Sequence, residues 1–205
     1  SYLSGYGGKC MKNKKILIGI SGSFCNHRAV LEEVRKLAVD NDITFVISEN
    51  VKNLSTRFFE REAFLTELRT ISGKAIIDDL LQAEVLGPQD PFDIMAIVPL
   101  SATMCTRMVH GLYDSPVTLA AKAMIRNQKN IVFGFASNDG LGISGTNLMR
   151  LLNMKHFYAV PFRQDAPSAK PRSIVADWQK LEQTLDAAFQ NEQLQPLLLG
   201  SESDD

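Results

Sequence analysis

The residues able to do chemistry fall in four short stretches, each just after an apolar run. The first is Gly19-Ile20-Ser21-Gly22-Ser23. A dinucleotide fingerprint would place glycine at positions 21 and 24, where this chain has Ser21 and Phe24, and the Lys-Ser/Thr pair of a P-loop is missing. What is left is a tight turn with two hydroxyls and free backbone N–H groups at the opening of a helix. Oriented donors and a helix dipole both favour an anion there, so the turn suits one phosphate monoester. The plain alternative is an ordinary strand-to-helix corner with a serine cap.

The second stretch, Ser48 to Arg57, offers Ser48 and a guanidinium at Arg57. The third, Pro99 to Thr106, sets Ser101, Ala102, Thr103 and Thr106 at the start of a helix and makes a donor-rich pocket edge. The fourth, Ser137 to Thr146, is rich in glycine; its Asn138 offers both a donor and an acceptor, and the helix from Thr146 and Asn147 provides a further N-terminal anion site.

Other reactive side chains point to structure. His27 opens the first helix and is expected to be a solvated N-terminal residue, while His110 and His156 are expected to be structural. Cys25 sits at a helix N-terminus, where a thiol pKa can fall, yet a small inert buried residue is the simpler expectation; Cys105 belongs to the core. Nothing has metal-ligand spacing, and no Ser–His–Asp set follows from sequence order.

The elements that must position these loops alternate. Lys15–Ile20 is a short β-branched run that reads as a doubly buried strand, and Ile43–Ile47, Asp93–Val98 (closed by Pro99), Ile131–Ala136 and His156–Val160 follow it. Between them, Val30, Val34, Leu37 and Ala38 repeat at helical spacing; Phe64 to Ile71 makes a helix stopped by Gly73, and 75–83 a second helical stretch. Met104, Met108 and Leu112 make a stripe, Ser115-Pro116 starts a helix, Thr146 caps one that runs to Leu152, and Ser173 caps a last helix with Ile174, Trp178, Leu181, Leu185 and Phe189 facing inward. Strand–helix alternation requires crossovers. The expected fold class is therefore α/β, a three-layer flavodoxin-like or Rossmann-like parallel sheet with helices on both faces. Ligands in such a sheet sit beyond the carboxyl ends of the strands, which is where the four stretches lie.

The 205 residues, 45% hydrophobic and 22% charged, suit one globular domain. A formal charge of -1 argues against nucleic-acid and membrane-surface partners, which call for a basic face. Three widely spaced cysteines read as reduced thiols in a cytoplasm. Residues 1–11 are expected to be a leader, with Met11 near a natural start; 12–199 form the single domain and 200–205 an acidic tail.

The third and fourth stretches carry a resemblance. Pro99, Ser101, Ala102, Arg107, Gly111 and Asp114 are in register with the Pro-x-Ser/Thr-Ala-Asn-Thr-x-x-Lys-x-x-x-Gly-x-x-Asp segment of the homo-oligomeric flavin-containing cysteine-decarboxylase family, and Phe135, Ala136 and Asn138 answer its Ala-Pro-x-Met-Asn segment weakly. Within that family, 15–199 is similar to the flavoprotein B subunits of dipicolinate synthases. Thr56-Arg57-Phe58, Asp114-Ser115-Pro116-Val117 and Ser137-Asn138-Asp139-Gly140-Leu141-Gly142 carry this closer match, with Pro161-Phe162-Arg163-Gln164-Asp165 and Gln193-Leu194-Gln195-Pro196 further along.

The resemblance implies a flavodoxin-like sheet that binds FMN, homo-oligomers with flavin at subunit contacts, and a cytoplasmic place in the mother cell of a sporulating bacterium. It also implies a partner, the A subunit of dipicolinate synthase, which carries NADP, and oxidation of dihydrodipicolinate or its hydroxytetrahydro precursor to dipicolinate. The implied cofactor-binding residues are Ser21, Gly22, Ser23, Ser48, Ser101, Ala102, Thr103, Thr106 and Ser137. A dicarboxylate substrate needs guanidinium groups or helix N-termini, so Arg57 and Arg163 are its first candidates, with Asn138, Thr146 and Asn147; Arg107, Arg150 and Lys170 lie near the same edge. Two other readings stand beside this one. The chain could be a non-catalytic partner that binds substrate or stabilises the A subunit, or an FMN-dependent decarboxylase or flavin prenyltransferase. Against the latter, no His follows the second strand, Thr103-Met104 replace Asn-Thr, and no Cys-containing lid follows Pro161.

Overall fold

The computed structural model describes residues 11–53 and 60–201. The strands are β1 Lys15–Ile20, β2 Asp42–Ile47, β3 Ile94–Leu100, β4 Ile131–Ser137, β5 Phe157–Ala159, β6 Phe162–Arg163 and β7 Ile174–Ala176. The helices are α1 His27–Ala38, α2 Glu49–Asn53, α3 Arg61–Ser72, α4 Leu80–Glu84, α5 Leu86–Gln89, α6 Ala102–Val109, α7 Pro116–Arg126, α8 Gly145–Leu152 and α9 Leu181–Phe189.

One seven-stranded sheet runs β2-β1-β3-β4-β7-β6, with β5 paired to β4. The expected parallel sheet is its body: β1 to β5 pair in parallel, with Ile16 opposite both Ile43 and Ile94. An extension completes it. β4 gives its first half, Ile131–Phe133, to β5 and its last two residues, Ala136 and Ser137, to antiparallel β7, which in turn pairs with β6. The short turn-rich connection from β6 to β7 returns the chain without a helix, and antiparallel neighbours permit that. Ile174 is therefore a strand residue. The last helix does not begin at Ser173; its first α-helical residue is Leu181, after a short 3₁₀ turn capped by Asp177.

Side-chain alternation divides the core. Ile16, Ile18 and Ile20 face one layer with Val30, Val34 and Leu37 of α1, Leu65 and Leu68 of α3, and Leu181 and Leu185 of α9. Leu17 faces the other with Met104 and Met108 of α6, Val117 and Ala121 of α7, and Leu148 of α8. Gly19 makes the second layer tight: a Cβ there would lie 3.2 Å from Val117 and 3.1 Å from Met95. Burying this much apolar surface on both faces is the main stabilising force.

Other boundaries also differ from those expected: Thr146 does not cap its helix, which begins at Gly145 with Ser144 as N-cap. β3 continues through Pro99 to Leu100. Its ladder with β1 ends at Gly19–Ile97, and the pairing with β4 shifts register between Ile97 and Leu100, so Pro99 costs no ladder bond there. α6 ends at Val109, which leaves Leu112 half exposed outside the stripe. Of the stretch 75–83, only Leu80 onward is helical, since Ile77 instead bridges β2 at Val46.

Candidate functional site

At the carboxyl end of the sheet the turns after β1, β2 and β3 meet in a cleft of about 290 Å³. Gly22 lines it from the first turn, Ser48, Glu49 and Asn50 from the second, and Ser101, Thr103 and Met104 from the third. Arg107 on α6 and Asp114-Ser115 before α7 close the far wall.

The first turn is held by its side chains. Ser21 is fully buried: its Oγ donates to the Pro99 carbonyl at 2.9 Å and accepts the Ser101 amide at 3.0 Å. Its hydroxyl thus ties β1 to β3 and is not presented to a ligand. Ser23 has a left-handed backbone (φ 63°) and donates its hydroxyl to the Ala136 carbonyl at the end of β4, 2.9 Å away. Within the described residues the amides of Gly22 and Ser23 make no hydrogen bond. Two adjacent donors thus remain at the turn, as an anion cradle requires. A Cβ on Gly22 would reach 3.5 Å from the Ser101 Cβ, so any larger side chain there would enter the cleft.

His27 braces the same turn. It is buried rather than solvated, because its ring lies between Phe64 (stacked, 5.0 Å) and Phe24 (edge-on, 5.1 Å). Nε2 lies 3.0 Å from the Ser21 carbonyl and donates to it. Burial lowers its pKa from the usual 6.5, more strongly than the carbonyls of Ser21 and Gly22 raise it.

The third turn is capped in the ordinary way. Ser101 accepts the Met104 amide at 3.2 Å as N-cap of α6, which leaves the first-turn amides of Ala102 and Thr103 directed to the cleft end of the helix. Ser115 and Thr118 form a capping box on α7 with Pro116 in its first turn. Arg107 Nη1 bonds Asp114 Oδ2 at 2.5 Å across the outer wall.

The cleft therefore unites Gly22, Ser48, Ser101 and Thr103, with Ala102 at its edge, from the expected set. Thr106 lies one turn further on; its hydroxyl donates to the Ala102 carbonyl and accepts from Asn147 at 2.9 Å, so this pair clips α6 to α8 rather than facing a ligand. The fourth stretch stays apart from the cleft. Ser137 accepts the Asp139 amide, Asn138 accepts from Ser173, and Thr146 lines a separate groove with Met149 and Met154. Arg163 lies in another depression with Glu32 and Glu33, ion-paired to Asp177 at 3.2 Å. Position 57 is outside the described residues. Cys25 is exposed, against expectation, because η-type turn residues 24–26 bury only partly; Cys105 is fully buried and burial pushes its thiol up to about 12.

Glu49, Asn50, Asp114 and Ser115 were not singled out as ligand groups by the sequence, and Arg107 ranked behind Arg57 and Arg163. The signal was present: Arg107 and Asp114 are seven apart in the segment that carries the resemblance, and Glu49 directly follows the end of β2.

Among the described residues the cleft holds hydroxyls, amides without a partner at one turn, the start of α6, the Arg107 guanidinium and the carboxylates of Glu49 and Asp114. This donor set fits the phosphate and polyol of a flavin mononucleotide, with Gly22 keeping the space beside Ser101 open. Comparison with known proteins agrees with the geometry. Residues 7–186 match the Flavoprotein family. The chain is 40% identical over 190 residues to the B subunit of dipicolinate synthase from Bacillus subtilis (strain 168), covering 92% of this chain and 95% of that one. The crystal structure of the corresponding B subunit from Bacillus halodurans C superposes with a TM-score of 0.85 at 34% identity, over 93% of this chain and 98% of that one. The FMN-dependent cysteine decarboxylase SpaF shares the fold, with a TM-score of 0.63 at 16% identity over 87% of this chain and 96% of that one. The chain belongs to the flavoprotein family, and within it is similar to the dipicolinate synthase B subunits.

Proposed function

We propose that this chain is the FMN-binding B subunit of a dipicolinate synthase. In this reading it works with the A subunit, which carries NADP, to oxidise dihydrodipicolinate or its hydroxytetrahydro precursor to dipicolinate during sporulation. The observation that carries the reading is the cleft itself, lined by Gly22 and the start of α6 beyond the carboxyl ends of β1 and β3, at a turn whose Gly22 and Ser23 amides have no hydrogen-bond partner among the described residues. The similarity to B subunits supports the assignment of the reaction, and the Flavoprotein family match, with a fold shared by an FMN-dependent enzyme, supports the cofactor.

In this reading the Gly22 and Ser23 amides hold the phosphate, and Ser48, Ser101 and Thr103 meet the polyol. When bound, FMN supplies a ring able to take up a hydride as the dihydropyridine becomes aromatic. The chain's own residues orient the substrate, keep the turn rigid through Ser21, Ser23 and His27, and set the local charge. The expected assembly is a homo-oligomer that docks the A subunit, in the cytoplasm of the mother cell.

One observation favours a second reading, that of a binding or stabilising partner: among the described residues lining the cleft the ionisable groups are Arg107, Asp114 and Glu49, and the first two are paired with each other. A single experiment separates the two. Purified protein is assayed for dipicolinate formation with and without the A subunit, with the visible spectrum recorded throughout. The first reading predicts a yellow protein whose flavin bleaches on addition of substrate. Full activity from the isolated A subunit, together with a colourless B subunit, supports the second.

A further inference from the structure

The charge in the cleft poses a problem for a dianionic substrate. Its described lining carries one guanidinium, Arg107, and two carboxylates, Glu49 and Asp114. The guanidinium is already held by Asp114, Nη1 to Oδ2 at 2.5 Å. With that pair closed, a dicarboxylate would meet a neutralised cation and a second carboxylate, Glu49, and desolvating it there would be unfavourable.

The pair is, however, built to open. Arg107 is 38% exposed and Asp114 60%, so water competes for both partners and little holds them together. The two residues also lie on different supports: Arg107 is on the rigid helix α6, and Asp114 is in the turn before α7, outside either helix. The Arg107 backbone carbonyl accepts the Leu112 amide at 2.9 Å, so its place in the wall does not depend on the ion pair. A guanidinium presents a planar fork matched to a carboxylate, and an incoming carboxylate can take it bidentately.

We infer that Arg107 is the carboxylate receptor for the dicarboxylate substrate, with Asp114 occupying it in the free protein and yielding it on binding. Asp114 is thus a competitor: it lowers affinity for every anion, and it admits only those that pair with Arg107 well enough to displace it. The inference rests on the functional reading above for the class of ligand, and on the geometry for the residues.

The test is calorimetric titration of the full chain with dipicolinate, in the presence and absence of FMN, and with inorganic phosphate as a second probe. Thermal melts of each variant check folding. Asp114→Asn is expected to bind dipicolinate at least fivefold more tightly than wild type, and Arg107→Gln at least tenfold more weakly. Glu49→Gln also removes a negative charge, so it measures the purely electrostatic gain. The decisive result is coupling: the gain from Asp114→Asn is expected to exceed that from Glu49→Gln in wild type and to fall to no more than the Glu49→Gln gain in the Arg107→Gln background. Unchanged or weaker binding by Asp114→Asn overturns the inference, as does a gain that is undiminished by loss of Arg107. Arg107→Gln losing phosphate but not dipicolinate overturns it too, since that would make Arg107 a phosphate ligand. If FMN binds but no variant takes up dipicolinate, the inference fails and the cofactor reading stands; if neither binds, both fail.

Discussion

A single hydroxyl shows how the turn after β1 is made. Ser21 donates to Pro99 and accepts from Ser101 in a site closed to water. Ser21→Ala leaves the Ser101 amide without that partner and is expected to cost about 1–3 kcal/mol, read as a lower denaturant midpoint with unchanged slope. His27 adds a pH dependence. Its folded pKa lies below the usual 6.5, so the unfolded chain binds the proton more readily. Stability from this group is complete above 6.5 and is lost as pH falls from there toward the folded pKa. Melting temperature is expected to drop between pH 7.5 and 5, with a shallower slope for His27→Gln; equal slopes would remove His27 as the cause. The thiols differ as sharply. At pH 8 an alkylating reagent is expected to label exposed Cys25 and spare Cys105, whose thiol is pushed up to about 12, as peptide mapping of the native protein would reveal. The sequence identified the serines and glycine of this turn as chemically notable but could not assign their partners, because Pro99, Ser101 and Ala136 approach only when three strands align.

At the scale of elements, local signals hold where no tertiary pairing competes with them. Ser115-Pro116 announced α7, and its capping box is formed with Thr118. Ser115→Ala is expected to lower stability by about 1 kcal/mol by chemical denaturation; no change would mean that Thr118 or water replaces the cap. The parallel body was legible from strand–helix alternation, and Gly73 ended α3 with a left-handed backbone as its position implied. Errors arose where tertiary pairing overrode local pattern. Ile174 to Phe189 has helical spacing, yet the exposed end of β4 needs a partner, and Ile174–Ala176 serves as one. Pro99 looked like a strand end, but β1 had stopped pairing before it. The fourth stretch looked like a ligand loop because it is glycine-rich. In the fold, close packing accounts for two of those glycines: a Cβ on Gly145 would lie 2.8 Å from the Gly140 carbonyl, and one on Gly140 2.9 Å from Ile174.

For the whole molecule, family and fold were legible from the segment around Pro99 to Asp114, whereas the disposition of charge was not. Arginines chosen for following a strand end include Arg163, which the antiparallel extension carries into a different depression. Arg107 reaches the cleft because α6 begins at its edge and residue 107 lies one turn after Thr103, on the same face of the helix. The account stands on the turn after β1 being an anion cradle for a mononucleotide. Titration of wild type and Gly22→Asp with FMN tests this most directly, because a Cβ at 22 makes only ordinary contact, 3.5 Å from the Ser101 Cβ, while the carboxylate beyond it competes for the place of the phosphate. A cradle at this turn implies one FMN per chain with micromolar or tighter affinity for wild type, and a loss of at least a hundredfold in a Gly22→Asp protein that melts as wild type does. Equal FMN affinity in the two proteins, or no FMN uptake by wild type, would contradict it.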